Sequence, residues 1–186
     1  MVPVYALWLP ILLSAVIVFI ASSIIHMALP IHKSDYRKLP DEAKVLDILH
    51  ASGVTPGREY RFPFCTQKEM KSPEAIEKFK RGPVGLLVIM PSGEPKMGKF
   101  LGQWFLYCVL VSIFTACLTG RTRMPGVGFS AVFHVAGLTA FIGYSLAQLQ
   151  NSIWRGVTWG VTLKHMLDGV IYGLLTAGTF AWLWPK

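Results

Sequence analysis

The chain has 186 residues, of which 53% are hydrophobic and only 15% are charged, with a mean hydropathy of +0.47. An ordinary soluble domain carries about 25% charged residues, so this composition excludes that class and favours a protein embedded in the lipid bilayer. The net charge of +8 does not indicate nucleic-acid binding, because the basic residues of the longest polar segment are interleaved with acidic ones.

Four apolar runs of about 20 residues, the length that crosses a hydrocarbon core, are separated by polar sequence. They predict a membrane all-α fold with four transmembrane helices in a bundle, at residues 4–29, 101–120, 126–149 and 165–184. We interpret the first run as a retained span rather than a signal peptide, because no basic region precedes it and no small-residue cleavage pattern follows it.

The segment between the first two spans, residues 33–99, is the only part polar enough to fold in water. "LPDEAKVLDILHASG" and "SPEAIEKFKRG" predict helices that end at Gly53 and Gly82, the second with Ser72 as its N-cap. "REYRFPF" looks extended, and the apolar run "PVGLLVIMPSG" predicts a buried strand. We therefore expect a small cytoplasmic α+β insertion between helices 1 and 2.

Basic residues predict the orientation of the spans. Thirteen of the 18 Lys and Arg residues lie between positions 30 and 100, and such residues are enriched on the cytoplasmic side of membrane proteins. We therefore expect residues 33–99 in the cytoplasm and both termini outside it, which puts 15 basic residues on the cytoplasmic side and three on the other.

Small residues recur at helical spacing in the last two spans. Gly169, Gly173 and Ala177 follow one another every four residues in the fourth span, and Gly137 lies on the corresponding polar and small-residue face of the third. Such faces let two helix backbones approach closely. They predict tight helix packing, either within the chain or against another membrane protein.

An even number of spans places several polar side chains in one layer near the cytoplasmic side. The layer comprises His26, Gln103, Tyr107, Gln148, Asn151, His165 and Asp168. His134 is isolated in the opposite half of the membrane, where an imidazole needs a hydrogen-bond partner such as Ser130.

The first interpretation of this layer is structural. Asp168, the only acidic residue in the four spans, is expected in the first turn of its helix, where the helix dipole favours an acid. There it would pair with His165, Lys164 or Arg155 and fix the register of the bundle.

Two functional interpretations stay open beside it. In one, His26 and His165 bind a metal or haem, with Asp168 as a hydrogen-bond partner of an imidazole, so that haem and copper are candidate cofactors. In the other, an oligomer forms a proton or small-solute path that uses His134. No catalytic residues are assigned, because the few dispersed histidines do not form a hydrolase or desaturase set.

The whole chain, with "SSIIHMALPIHKSDYRKLPDE" after the first span and "DGVIYGLLTAGTFAWLWP" at its end, resembles bacterial membrane proteins of four spans with no assigned activity. The resemblance implies a bacterial inner membrane and transfers no binding residues. The leading interpretation from sequence is a non-enzymatic accessory or scaffold subunit that packs through its small-residue faces against itself or other membrane subunits.

Overall fold

The computed structural model describes every residue from Met1 to Lys186. The chain divides into two compact units, one formed by residues 1–36, 96–152 and 157–186 and the other by residues 37–95 and 153–156. The predicted mostly helical fold with a small sheet is confirmed. The helices are α1 Trp8–Ser23, α2 Glu42–Ala51, α3 Pro73–Arg81, α4 Met97–Thr122, α5 Phe129–Ser145, α6 Leu149–Arg155 and α7 Trp159–Trp182; the strands are β1 Arg58–Phe62 and β2 Gly85–Ile89.

Three helical stretches are long and apolar enough to cross a membrane. They are Val4–Ala28, which adds a turn at each end of α1, Met97–Thr122, and Phe129–Arg155, which joins α5 to α6. These stretches are compatible with a membrane protein, as the composition predicts. Helix α7 is not among these three stretches, because Lys164, His165 and Asp168 lie in its N-terminal half and lower its hydropathy. It also begins six residues before the predicted boundary.

The four long helices of the first unit form a ring. Helix α1 contacts α4 and α7, and α5 contacts the same two helices. The α5 and α7 backbones lie closest, because a Cβ atom on Gly173 would be 3.3 Å from the Phe141 nitrogen and one on Gly137 would be 3.1 Å from the Ala177 Cβ. The small-residue faces of the third and fourth apolar runs therefore pack against each other inside the chain.

One end of this ring holds both termini. The Val2 amide donates to the Gly120 carbonyl at 2.7 Å, and the Gly126 amide donates to the Pro185 carbonyl at 2.9 Å. The Trp184 indole N–H donates to the Met124 carbonyl at 3.0 Å. The start of α1, the α4–α5 loop and the end of α7 therefore share one end, and the other ends of the four helices meet at the opposite end.

An apolar cluster fills the ring near the termini. Leu7, Val132 and Phe180 belong to it and are completely buried. Further along, the Ser14 and Ser112 hydroxyls join α1 to α4 by a hydrogen bond of 2.9 Å. Polar side chains thus also lie inside the ring, and hydrogen bonds satisfy most of them.

The second unit has its elements in the order α2, β1, α3, β2. The strands pair antiparallel from Arg58 opposite Ile89 to Phe62 opposite Gly85. A Cβ atom at Gly85 would lie 2.8 Å from the end of the Phe62 ring, so a larger residue there would require the ring to move. Helix α3 begins with the predicted cap, in which the Ser72 hydroxyl accepts the Ala75 amide at 3.1 Å.

Candidate metal centre

Three imidazoles and a carboxylate converge at the end of the ring away from the termini. His26, His32, His165 and Asp168 each offer one ligand atom, and these atoms all lie within 4.8 Å of one another. All four residues belong to the first unit. Two of the histidines follow α1, and the other two residues lie on α7.

A break after α1 brings His32 back to His26. The wide helical turn Ile24–Ala28 ends at Leu29, whose extended backbone (φ −88°, ψ 145°) suits a residue before proline. A short 3₁₀ turn then runs over Pro30–His32. The two rings stack with their centroids 4.2 Å apart, although six residues along an uninterrupted helix would separate them by about 9 Å and place them on different faces.

Asp168 lies deeper in its helix than the sequence predicts. Because α7 begins at Trp159, Asp168 is in the third turn and not in the first, and the helix dipole acts mainly within the first turn. The prediction that the helix dipole stabilises Asp168 is therefore wrong. Asp168 is only 4% exposed, and His165, three residues earlier, shares its face.

The distances from Asp168 to the three imidazoles are close to those between ligands of a single small ion. From Asp168 Oδ2, His32 Nε2 lies at 3.0 Å, His26 Nε2 at 3.6 Å and His165 Nδ1 at 3.7 Å. Tetrahedral zinc binds nitrogen and oxygen at about 2.0–2.2 Å, so neighbouring ligand atoms are about 3.4 Å apart. The observed distances lie on both sides of that value.

A second carboxylate orients His32. Asp35 Oδ2 lies 2.6 Å from His32 Nδ1, and Lys164 Nζ donates to Asp35 Oδ1 at 2.7 Å. The same Nζ donates to the Ile31 carbonyl and the Ser34 hydroxyl, both at 2.8 Å. Burial raises the pKa of Asp35, but the hydrogen bonds from Lys164 and His32 outweigh it and hold that pKa below its usual value.

Asp35 is therefore a carboxylate, and it orients the imidazole. His32 Nδ1 donates a hydrogen bond to Asp35, so Nε2 is the ring nitrogen that can bind a metal ion. Nε2 is on the side of the ring nearest Asp168. A carboxylate behind a histidine is the usual support of a metal-binding imidazole.

Two buried atoms at the centre of the cluster have no hydrogen-bond partner. They are His32 Nε2 and Asp168 Oδ2, which lie 3.0 Å apart without the alignment of a hydrogen bond. Buried polar atoms without a hydrogen-bond partner are unfavourable. A cation that binds both atoms would remove this cost, and imidazole with carboxylate suits zinc and its neighbours in the first transition series.

A cavity of about 840 Å³ adjoins the cluster. Six of the seven residues of the predicted polar layer line it. The seventh, Asn151, donates to Gln148 Oε1 at 2.9 Å. The remaining wall is mostly apolar and aromatic. The lining residues are Ser22, Ser23, His26, Met27, Met97, Phe100, Leu101, Gln103, Trp104, Tyr107, Tyr144, Gln148, His165, Asp168 and Tyr172.

Most polar atoms of the aromatic wall are already bonded. The Trp104 indole N–H donates to the Ser22 hydroxyl at 2.7 Å, and the Tyr107 hydroxyl donates to the Gly143 carbonyl at 2.5 Å. The Tyr172 hydroxyl differs, because it is buried and has no partner. It lies four residues after Asp168, on the same face of α7.

The other predicted partners lie elsewhere. His134 Nδ1 bonds the Ser130 carbonyl at 2.7 Å and lies on the exposed side of α5. Arg155 pairs with Glu59 at 2.8 Å, in the second unit. Because Lys164 binds Asp35, neither predicted cation pairs with Asp168.

Sequence reasoning missed His32 and Asp35. Helical spacing could not find them, because the turn at Pro30 interrupts the period. The available signal was "HMALPIHKSD", in which two histidines and an acid flank a proline directly after an apolar run. Comparison of the chain with protein-family models, curated proteins and solved structures found no match.

Proposed function

We propose that this chain is an integral membrane protein that binds one divalent ion of the zinc class. The ligands are His26, His32, His165 and Asp168. The carrying observation is the pair of buried atoms without a hydrogen-bond partner, His32 Nε2 and Asp168 Oδ2, at the centre of three imidazoles and a carboxylate. Neutral imidazoles and an ionised carboxylate are the protonation states that a metal requires.

Zinc suits these donors better than haem or copper(I), two of the cofactors considered from sequence. A haem held between His26 and His165 needs room for a porphyrin, but the His32 ring lies 4.2 Å and 5.0 Å from those two rings. Copper(I) prefers thiolate and thioether sulfur, whereas all four donors of the cluster are nitrogen or oxygen. Zinc accepts this set in tetrahedral geometry.

We further propose that α7 is a fourth span of a bacterial inner membrane. Both termini would then lie on one side of that membrane, and the insertion would lie on the cytoplasmic side. Support comes from the two faces of α7. Leu163, Leu167 and Leu174 are each more than half exposed, whereas Asp168 and Thr176 are buried. Apolar residues outside and polar residues inside are favourable only when lipid surrounds the helix.

The accessory or scaffold role remains a weaker second proposal. The argument for this role was that the small residues of the last two spans present a surface to a partner. In the structure, however, Gly137 on α5 and Gly173 on α7 face each other. That surface is therefore used within the chain. The metal proposal does not depend on a partner.

Metal analysis of the protein purified from its membrane, without chelator, tests the proposal. We expect about one zinc ion per chain in the wild type and less than a tenth of that in His32→Ala and Asp168→Asn, because each change removes a ligand. His134→Ala is the matched control, since this imidazole lies on the same bundle outside the cluster. It should retain the wild-type content.

The same samples identify the metal. If the samples contain iron or copper at about one ion per chain, that metal and not zinc is the bound ion. A wild-type protein that holds no transition metal, and takes up none when Zn²⁺ or Co²⁺ is added, would refute the proposal. A zinc content that is the same in Asp168→Asn and His134→Ala would also refute it.

A further inference from the structure

The cavity beside the cluster is larger than a metal ion requires. Its volume of about 840 Å³ is within the range of about 300–1,000 Å³ typical of small-molecule sites. His26, His165 and Asp168 form part of its wall. An ion bound by the cluster would therefore be in contact with whatever occupies the cavity.

Many polar and apolar side chains of the cavity wall come from different helices. The charged and metal-binding side chains come from α7 and the end of the first apolar run, while Phe100, Leu101 and Trp104 on α4 add an apolar wall. Trp104 and Tyr107 present ring faces, because hydrogen bonds elsewhere use their polar atoms. An occupant that fits this wall has one polar end and an apolar body.

The apolar part of the wall continues to the outside of the bundle. Met27, Met97 and Phe100 line the cavity and are each more than half exposed. Large exposed apolar side chains in a helical membrane bundle face lipid. A ligand with a hydrocarbon chain can therefore enter from the bilayer without leaving an apolar environment.

One hydrogen-bond donor in the wall is free for such a ligand. Tyr172 is only 3% exposed, lines the cavity, and its hydroxyl has no partner. It lies one helical turn from Asp168, about 6 Å along the axis. Zinc can expand from four to five ligands, so an oxyanion that adds one oxygen to the four protein ligands can accept the Tyr172 hydrogen bond with another.

We propose that the cavity binds a single-chain amphiphile whose anionic oxygen group, a phosphate or carboxylate, contacts the metal ion and the Tyr172 hydroxyl. The hydrocarbon chain occupies the space beside Leu101 and Trp104. This inference rests on the zinc site proposed above. The oxyanion neutralises the ion, and the chain buries apolar surface in the cavity.

Binding of dodecyl phosphate to the zinc-loaded, full-length chain tests this proposal, with dodecanol and inorganic phosphate as probes of each half of the ligand. We expect dodecyl phosphate to bind at least about tenfold more tightly than either probe, since a charged hydrogen bond alone is worth about that factor. Equal binding of dodecyl phosphate and dodecanol would overturn the role of the head group. Equal binding of dodecyl phosphate and inorganic phosphate would overturn the role of the chain.

Two variants separate the contributions of head group and chain. Tyr172→Phe removes only the hydroxyl and should weaken dodecyl phosphate about tenfold, whereas Tyr5→Phe, at an exposed tyrosine, should not. Leu101→Trp fills the cavity and should abolish the advantage of dodecyl phosphate over inorganic phosphate. Leu118→Trp, on the exposed side of the same helix, is its control.

Zinc content measured in each sample separates failure of this inference from failure of the metal proposal. A chain that holds zinc but binds dodecyl phosphate no better than dodecanol overturns the inference and leaves the metal site intact. A chain without zinc overturns both, because the head group then lacks its cation. Unchanged affinity in Tyr172→Phe with zinc present would also overturn the inference.

Discussion

At the scale of single residues, the arrangement around His32 determines what the cluster can bind. Asp35 is 2% exposed at its side chain and lies between His32 and Lys164. Lys164 compensates the buried carboxylate, and the carboxylate in turn orients the His32 imidazole. In the proposed site, one acid, Asp168, would contact the ion, and the other, Asp35, would orient a ligand.

Asp35→Asn tests this orienting role. We expect zinc affinity to fall by about 10- to 100-fold without being abolished, the usual cost of losing a carboxylate behind a metal-binding histidine. Competition with a chelator measures the affinity, and the visible spectrum of bound Co²⁺ should change because the His32 ligand is less firmly held.

Asp47→Asn is the control for this change, because Asp47 is an exposed acid in α2. It should leave both affinity and spectrum at wild-type values. Recovery of the wild-type Co²⁺ spectrum in Asp35→Glu would distinguish orientation of His32 from a general effect on folding. An unchanged affinity in Asp35→Asn would contradict the assigned role.

Part of the site was predictable from residue types and part was not. An even number of spans was enough to group His26, His165 and Asp168, because depth in a bilayer follows from counting residues along straight helices. His32 and Asp35 follow a turn whose direction depends on the backbone around Pro30. No periodicity in the sequence carries that information.

At the scale of secondary-structure elements, α5 and α7 form the closest helix pair of the bundle. A Cβ atom on Gly169 would run into the Ser145 side chain, and would lie 3.2 Å from the Ser145 backbone nitrogen. The Ser145 hydroxyl donates across the interface to the Met166 carbonyl at 3.1 Å. The stripe of small residues was readable from sequence, but its partner helix was not.

Gly169→Ala should separate these helices. We expect a loss of about 1–3 kcal/mol in the free energy of unfolding, the usual cost of added volume in a packed interior, seen as a lower melting temperature in detergent. Gly178→Ala on the same helix has open space around the new methyl group and should be neutral or stabilising by up to about 1 kcal/mol. Equal melting temperatures for the two variants would contradict the close approach.

At the scale of the whole chain, both termini lie at the same end of the four long helices. Hydrogen bonds from Val2 to Gly120 and from Gly126 to Pro185 hold both chain ends beside the α4–α5 loop. The hydropathy of the sequence identified the other three long helices readily, but it is lowest for α7. The reason is that His165 and Asp168, which belong to the cluster, lower the hydropathy of the helix that carries them.

Reporter fusions test the number of crossings. Fusions at residue 1 and after residue 186 should report the same side of the membrane, and a fusion within residues 37–95 should report the other side. A protein truncated after residue 155 should report the side of the insertion, because it lacks α7. Opposite locations for the two termini would contradict the fourth span.

Zinc should stabilise the whole bundle, because its ligands join the end of the first span to α7. At a free zinc concentration about 100 times the dissociation constant, binding adds about 2.7 kcal/mol to the free energy of unfolding. The melting temperature in detergent should therefore fall on chelation and recover when Zn²⁺ is returned. His134→Ala should respond like the wild type, and Asp168→Asn should not respond.

Leu7, Val132 and Phe180 are completely buried and fill the bundle near the termini, whereas the cavity lies beside the histidines at the other end. A ligand of the proposed cavity would therefore enter and leave at the histidine end.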